Sequence, residues 1–290
     1  VQHQFITIHD INISYQIRNE SAVKSIFVIH GWALKGTENW QSFLDKLAAK
    51  RLDYKILSLD LPGFGLSQPP KEVWGVAEYS KFISDLLDKL SINPDVIIAH
   101  SFGGAITVEY LSKLKAEYAT KVEVENDGKS ANYKVKRSRS KPRLILMAPA
   151  IVRQNPSFIK KTLQKIFSTG KKILILLKLE KFYTTLRQII YKFYGSTDYL
   201  KSDKIMSEIF LKVIYQDCVN LLKKLDNQTL ILWGEKDAQT PLWQAKIIDS
   251  ELKNSKLVIL ENARHAIHLQ AEEKVLAEIE KFIEFKNDYQ

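Results

Sequence analysis

Along the chain, short apolar runs alternate with longer stretches of helical periodicity. Phe5-Ile8 and Ile11-Ile17 alternate apolar with polar positions across a short Asp-containing turn, which predicts an antiparallel hairpin. Ser25-Ile29, Tyr54-Leu59, Asp95-Ala99, Leu144-Met147, Thr229-Trp233 and Lys256-Leu260 are near-continuous apolar runs, the pattern of strands covered on both faces. Helical spacing separates them. It is read over Trp40-Lys50 (Trp40, Phe43, Leu44, Leu47, Ala48), Ala77-Leu90 (Phe82, Ile83, Leu86, Leu87, Leu90), Ala105-Leu114, Leu242-Leu252 and Glu272-Phe285. Strands alternating with helices predict an α/β fold. Its sheet is mostly parallel behind the N-terminal hairpin, has helices on both faces, and carries functional loops at the carboxyl ends of the strands.

Two stretches break this rhythm. Residues 120–141 stand where a short loop would serve. Lys121-Glu125 and Asn132-Lys136 alternate around Asn126-Asp127-Gly128-Lys129, which predicts a protruding β-hairpin. Residues 151–226 read as helical, in pieces Ile159-Phe167, Ile173-Leu179, Phe182-Phe193 and Ile205-Leu222. The expected domains are therefore a core of residues 1–150 and 227–290, with a helical insertion at 151–226.

Composition changes this picture in one place. The chain has 290 residues, 45% hydrophobic and 26% charged, an ordinary globular balance. Its net charge of +10 is uneven, because residues 151–226 hold 15 Lys+Arg against 6 Asp+Glu. The single cysteine, Cys218, excludes an internal disulfide framework and is read as a buried structural thiol. Residues 1–10 lack the basic and apolar regions of a secretory leader, and the apolar run Ile173-Leu177 is far too short to span a bilayer. A cytoplasmic protein without a transmembrane segment is the expectation.

The sharpest local signal is Ala99-His100-Ser101-Phe102-Gly103-Gly104, between an apolar strand and a helix. A serine with small residues at −2 and +2 on a tight strand-to-helix turn is a nucleophile elbow. The turn lifts the hydroxyl above the sheet at a helix N-terminus, where negative charge is favoured. Ala99 stands where the usual pattern has Gly. A serine hydroxyl needs a base, and the base an orienting acid. For the acid, Asp237 in Trp233-Gly234-Glu235-Lys236-Asp237 lies deeper in the loop after its strand than Glu235, which reads as solvated. For the base, His265 is nearer the end of the last strand and is favoured over His268, read as a helix-start or packing residue. The order Ser101, Asp237, His265 is that of a nucleophile-elbow hydrolase. The backbone N–H groups of Trp32 and Phe102 are the candidate oxyanion donors. His30, Gly31 and His100 are placed at the substrate-binding surface. His30 is also read as a hydrogen-bonded brace for its loop, and Gly31 as permitting close backbone approach. The six histidines offer no convincing ligand set, so neither metal nor cofactor is expected.

His30-Gly31-Trp32, Asp60-Leu61-Pro62-Gly63-Phe64-Gly65-Leu66-Ser67, Ala99 to Gly104, Gly234 to Asp237 and Arg264-His265 together resemble the α/β-hydrolase superfamily. The resemblance spans nearly all of residues 5–285. It implies an α/β-hydrolase fold and a helical cap at 151–226. It also implies Ser101 as nucleophile, His265 as base, Asp237 as acid, and Trp32 and Phe102 as donors. It gives no role to the 120–141 insertion. A serine nucleophile argues against the dehalogenases and epoxide hydrolases of this fold, which attack through Asp. Its C–C hydrolases usually carry a Gly-Pro-Gly-type oxyanion loop and a Trp after the catalytic His. Here Trp32-Ala33-Leu34 and Ala266 stand instead.

The first two loops resemble those of the pimeloyl-acyl-carrier-protein methyl ester esterases. The expectation is a serine carboxylesterase or lactonase for small to medium acyl substrates. A C–C hydrolase, a carrier-linked ester hydrolase and a ligand receptor on the same fold are the alternatives. The basic cap could meet an acidic carrier protein or an anionic lipid surface. Nucleic acid is disfavoured, because the cap aromatics Phe182, Tyr183, Tyr191, Phe193 and Tyr194 sit at helical spacing.

Overall fold

The computed structural model describes residues 1–126, 141–153 and 204–284. Eight strands form one sheet: β1 (Gln4–Ile8), β2 (Ile11–Arg18), β3 (Lys24–Ile29), β4 (Tyr54–Leu59), β5 (Val96–His100), β6 (Arg143–Met147), β7 (Thr229–Gly234) and β8 (Ser255–Leu260). Their order across the sheet is β1-β2-β4-β3-β5-β6-β7-β8. β1 and β2 pair antiparallel through Ile8↔Ile11, with His9 and Asp10 both left-handed (φ 50° and 60°) in the two-residue turn. β2 runs antiparallel to β4, and the remaining pairs are parallel.

The apolar runs read as they do because alternate residues feed different cores. Phe27 and Ile29, Ile97 and Ala99, and Leu144 and Leu146 point into one cluster. That cluster also holds Phe82, Ile83, Leu86 and Leu87 of α2 (Val76–Leu90) and Ala105, Ile106 and Val108 of α3 (Phe102–Asn126). Ile26 and Val28, Val96 and Ile98, and Ile145 and Met147 point the other way. They meet Phe43, Leu44 and Leu47 of α1 (Gln41–Lys50) and the apolar stripe Val275, Leu276, Ile279 and Ile283. A strand with both faces covered needs both parities apolar, so the alternation of a one-sided strand disappears. β8 is the exception: it is the edge strand, and Ile259 there is 43% exposed.

Three expectations change in detail. The helix read from Trp40 is a 3-10 turn over Gly36–Trp40 followed by α1. The first strand of the expected hairpin, residues 121–125, is instead the end of α3, which runs to Asn126. No Gly or Pro stands between Gly104 and Gly128, so nothing stops a helix already nucleated at Phe102, and five alternating residues do not outweigh its propagation. The rest of that hairpin lies outside the described residues.

The helix read over Ile205-Leu222 is two, α4 (Lys204–Val213) and α5 (Val219–Leu222). Between them Asp217 accepts from the backbone N–H of Arg153 (2.8 Å) and of Val219 (2.9 Å), which turns the chain. The expected cap helices at 159–167, 173–179 and 182–193 lie outside the described residues. The C-terminal part of the structure adds α6 (Trp243–Glu251), α7 (Ile267–Gln270) and α8 (Glu272–Glu284). No helix among the described residues is long and apolar enough to cross a membrane.

Candidate active site

β5 ends at His100, and the chain turns sharply into α3. Ser101 takes a left-handed conformation (φ 50°), rare for a residue with a side chain. The turn is locked from β6. The Ser101 N–H donates to Met147 O (3.0 Å), and Ser101 O accepts from Gly104 N–H (3.0 Å) and Ala150 N–H (2.9 Å). Small flanking residues are required because β3 and β6 press against the turn. A Cβ at Gly103 would lie 2.6 Å from Ile29 O and 2.7 Å from His30 O, and one at Gly104 would run into Pro149. Ala99, the residue that departs from the usual glycine, is fully buried within β5, and its methyl joins the core.

The acid comes from the loop after β7. Asp237 Oδ1 accepts from the backbone N–H groups of Gln239 (2.8 Å) and Thr240 (2.9 Å), and Oδ2 accepts from the Thr240 hydroxyl (2.8 Å). Oδ2 also accepts from His265 Nδ1 at 2.8 Å. Burial pushes this carboxyl up, but the imidazole and the Thr240 donors outweigh burial and hold it below its ordinary value. Asp237 is therefore ionised, and His265 Nδ1 carries the proton that faces it. That tautomer leaves the Nε2 lone pair toward Ser101 Oγ, 2.9 Å away. Gly234 brings the two loops together, because a Cβ there would strike the carbonyls of Arg264 and Ala263. Glu235 instead accepts from the exposed Asn262 N–H (2.9 Å) and takes no part in the relay.

The loop after β3 lies beside the elbow. A Cβ on Gly31 would sit 2.8 Å from both His100 Nδ1 and Ser101 Cβ, so the close approach expected there is present. The His30 brace is present too: the Leu61 N–H donates to Nε2 (2.9 Å), and Nδ1–H donates to Gly31 O (2.6 Å). Burial lowers the pKa of this ring, against the opposing pull of Gly31 O and Asp60. Asp60 ties the neighbouring loops by accepting from Thr37 N–H (2.7 Å), Thr37 Oγ1 (2.8 Å) and Leu66 N–H (3.0 Å). The Trp32 ring packs on Phe64, Phe102 and Phe210 of α4, with centroids 4.8, 5.7 and 4.9 Å apart. Neither the Trp32 nor the Phe102 backbone N–H has an acceptor among the described residues. Phe102 opens α3, where N–H groups lack intrahelical partners.

His268 is not brought to Ser101. It stacks on Trp40 (3.8 Å between centroids, 9° between planes), and its buried Nδ1 has no partner among the described residues. Burial, helped by His265 and His30, pushes its pKa down to about 3. One edge of the His100 ring is engaged, since its Nε2 lies 3.1 Å from the carbonyl oxygen of His265. Two residues were not singled out from the sequence. Thr240 was legible as Asp-x-x-Thr before Pro241, a side chain that caps its own loop. Trp40 carried no signal beyond its apolar position. Among the described residues, no group of three or more His, Cys, Asp or Glu side chains is gathered as a metal site requires.

The mixed sheet, the elbow after β5 and the relay across three strand ends define a protein of the α/β-hydrolase class. A family model of the alpha/beta hydrolase fold matches residues 24–272, and the chain belongs to that family. Among characterised relatives, it is 21% identical over 294 residues to the proline iminopeptidase PfmaB of Pestalotiopsis fici, covering 97% of this chain and 99% of that one. It is 25% identical over 273 residues to the pimeloyl-[acyl-carrier protein] methyl ester esterase of Neisseria meningitidis serogroup C, covering 91% and 94%. Among solved structures, MGS-M2, an alpha/beta hydrolase from a Medee basin deep-sea metagenome library, superposes with a TM-score of 0.68 at 20% identity, covering 99% and 100%.

Proposed function

We propose that the chain is a serine hydrolase that cleaves carboxylic esters or lactones of small to medium acyl groups through an acyl-enzyme on Ser101. The observation that carries this reading is the continuous relay from Ser101 Oγ to His265 Nε2 (2.9 Å) and from His265 Nδ1 to Asp237 (2.8 Å). It ends beside the Trp32 and Phe102 backbone N–H groups, which have no acceptor among the described residues. Nε2 takes the Ser101 proton as Oγ attacks the carbonyl carbon, and Asp237 stabilises the imidazolium. The Trp32 and Phe102 N–H groups hold the oxyanion. His265 returns the proton to the leaving alkoxide oxygen. A water, deprotonated by the same ring, then releases the acid and restores Ser101.

Residues 151–226 are proposed as the cap over this site. Phe210 of α4 against Trp32, and Met206 of α4 against Gly63, support that placement for the cap's C-terminal part. The esterase of acyl-carrier-protein substrates among the relatives, together with the basic cap, favours a carrier-linked ester as the second reading. Reversing Lys160, Lys161, Lys171 and Lys172 then weakens a carrier-linked substrate and spares free esters. Equal effects on both exclude that reading.

The test is hydrolysis of p-nitrophenyl esters of two to twelve carbons, and of a lactone, by the wild type and Ser101→Ala. The expected result is multiple turnover that falls about 10⁴-fold or more in the variant. Tight binding with near-single turnover would make the chain a receptor instead. Turnover unaffected by Ser101→Ala would refute the mechanism.

A further inference from the structure

Three loops meet on one ring that the mechanism above does not use. His100 is buried at the end of β5, immediately before Ser101. Its Nε2 lies 3.1 Å from the carbonyl oxygen of His265. A carbonyl only accepts, so Nε2 carries the proton and donates it. The same oxygen takes a second bond from the Ile267 N–H (3.0 Å), which uses both of its lone pairs. On the other edge of the ring lies Gly31, where a Cβ would come within 2.8 Å of Nδ1. The His100 and His265 rings are 4.8 Å apart between centroids, and Trp40 (5.7 Å) and His268 (5.1 Å) close the remaining sides.

Other bonds hold the base loop at residues on either side of His265, among them those of the Ala266 carbonyl, which accepts from Leu269 N–H (3.0 Å) and Gln270 N–H (3.1 Å). Lys236 N–H donates to Ala263 O (2.8 Å), and Arg264 N–H donates to Gln270 Oε1 (2.7 Å). Among the described residues, the His100 bond is what joins the backbone of His265 to the strand that carries the nucleophile.

We propose that His100 is a positioning residue: its neutral ring donates Nε2–H to the His265 carbonyl and so sets the base against Ser101 Oγ, with no contact to substrate. This rests on the roles proposed above for Ser101 and His265. The titratable groups facing His100 are His265 and His268 from the segment after β8 and His30 from the end of β3. Burial and these imidazoles keep His100 uncharged. A neutral ring is what the position requires, because His265 becomes cationic during the reaction and a second cation 4.8 Å away would oppose it.

The test compares His100→Gln, which keeps an N–H near the Nε2 position, with His100→Met, which fills the space without a donor. Two quantities are read: kcat and KM on the best p-nitrophenyl ester, and the low-field proton resonance of His265 Nδ1–H in the ligand-free protein. The expected result for His100→Met is a kcat lower by about 10- to 100-fold, as for a small misplacement of reacting groups. KM stays within about twofold, and the resonance is broadened or lost. His100→Gln recovers most of both. A rise in KM at constant kcat would make His100 a substrate contact and overturn the proposal. So would a Met variant that matches the wild type, or a Gln variant no better than Met. If the wild type turns over no ester, the proposed function fails while the resonance still decides the positioning role. His100→Gln keeps the comparison alive should His100→Met not fold.

Discussion

Acidification should destabilise this fold through histidines that cannot take up a proton, and His268 allows the effect to be isolated. Its ring is 4% exposed, lies flat against Trp40, and is pushed down to about 3 by burial. An unfolded histidine titrates near 6.5. Because the folded pKa lies below the unfolded one, the unfolded state binds the extra proton as pH falls. The contribution to stability is intact above about 6.5 and is lost progressively toward about 3. Between pH 7.5 and 5.5 the loss is on the order of 1 kcal/mol for this one group. His100, held well below its ordinary value by burial and by His265 and His268, acts in the same direction.

His268→Phe keeps a flat ring on Trp40 and removes the titration together with the unpartnered Nδ1. Denaturant unfolding of both proteins at the two pH values gives the difference, in which the other titrating groups largely cancel. The stability of the variant relative to wild type should rise by roughly 1 kcal/mol on going from pH 7.5 to 5.5. A relative stability that does not change with pH would show that His268 is protonated in the folded state, and the burial argument would fall with it.

Other perturbations test the scaffold of the site. Thr240→Val removes one donor from Asp237 Oδ2, and kcat should drop about tenfold with KM unchanged, while Thr240→Ser restores it. Asp237→Asn should cost about 10³- to 10⁴-fold in kcat, since the amide presents no anion to the imidazolium and permits the wrong tautomer. In the wild type the same carboxyl is held below the usual carboxylate range by His265 and the Thr240 donors, so it stays ionised through mild acid. Asp60→Ala orphans the Thr37 and Leu66 donors and should cost about 3 kcal/mol in denaturant unfolding. Gly103→Ala places a methyl 2.6 Å from Ile29 O, and a loss of about 2 kcal/mol or more is expected in the same assay.

The strands were legible because each apolar run serves two cores at once, and a run of both parities is hard to mistake. Tyr54–Leu59 coincides with its expectation, and β5 starts one residue late because the Asp95 carboxylate accepts from Ser25 N–H (2.7 Å) at the strand's entrance. Ser101, Asp237 and His265 were legible for a related reason, since each follows an apolar run, and the first two loops carry a glycine, Gly103 and Gly234, that the neighbouring backbone demands. What escaped the sequence depends on partners far along the chain. The break between α4 and α5 is held by Asp217 accepting from Arg153, 64 residues away. The strand expected at 121–125 failed because a two-residue alternation that short is compatible with a helix whose start lies twenty residues earlier. Thr240 and Trp40 matter through what they touch across the fold, Asp237 in one case and His268 in the other, and neither contact leaves a periodic trace.

Residue type alone does not choose among the four histidines that crowd this end of the sheet. The His100 ring lies 4.8 Å from that of His265 and 5.1 Å from that of His268, and His30, His100 and His268 are almost wholly buried. Those three have backbone carbonyls, an N–H or an aromatic face as neighbours, so burial keeps them neutral and leaves them as struts. His265 differs in two respects. Its side chain is 12% exposed, and its Nδ1 meets a carboxylate anchored by three other donors. An imidazole becomes a base where its cationic form has a partner, and among these four only His265 has a hydrogen-bonded carboxylate. The struts add to this by staying uncharged, because any proton they accepted would lie against the ring that has to accept one from Ser101. The burial that makes the fold acid-sensitive is thus the same burial that reserves protonation for a single ring.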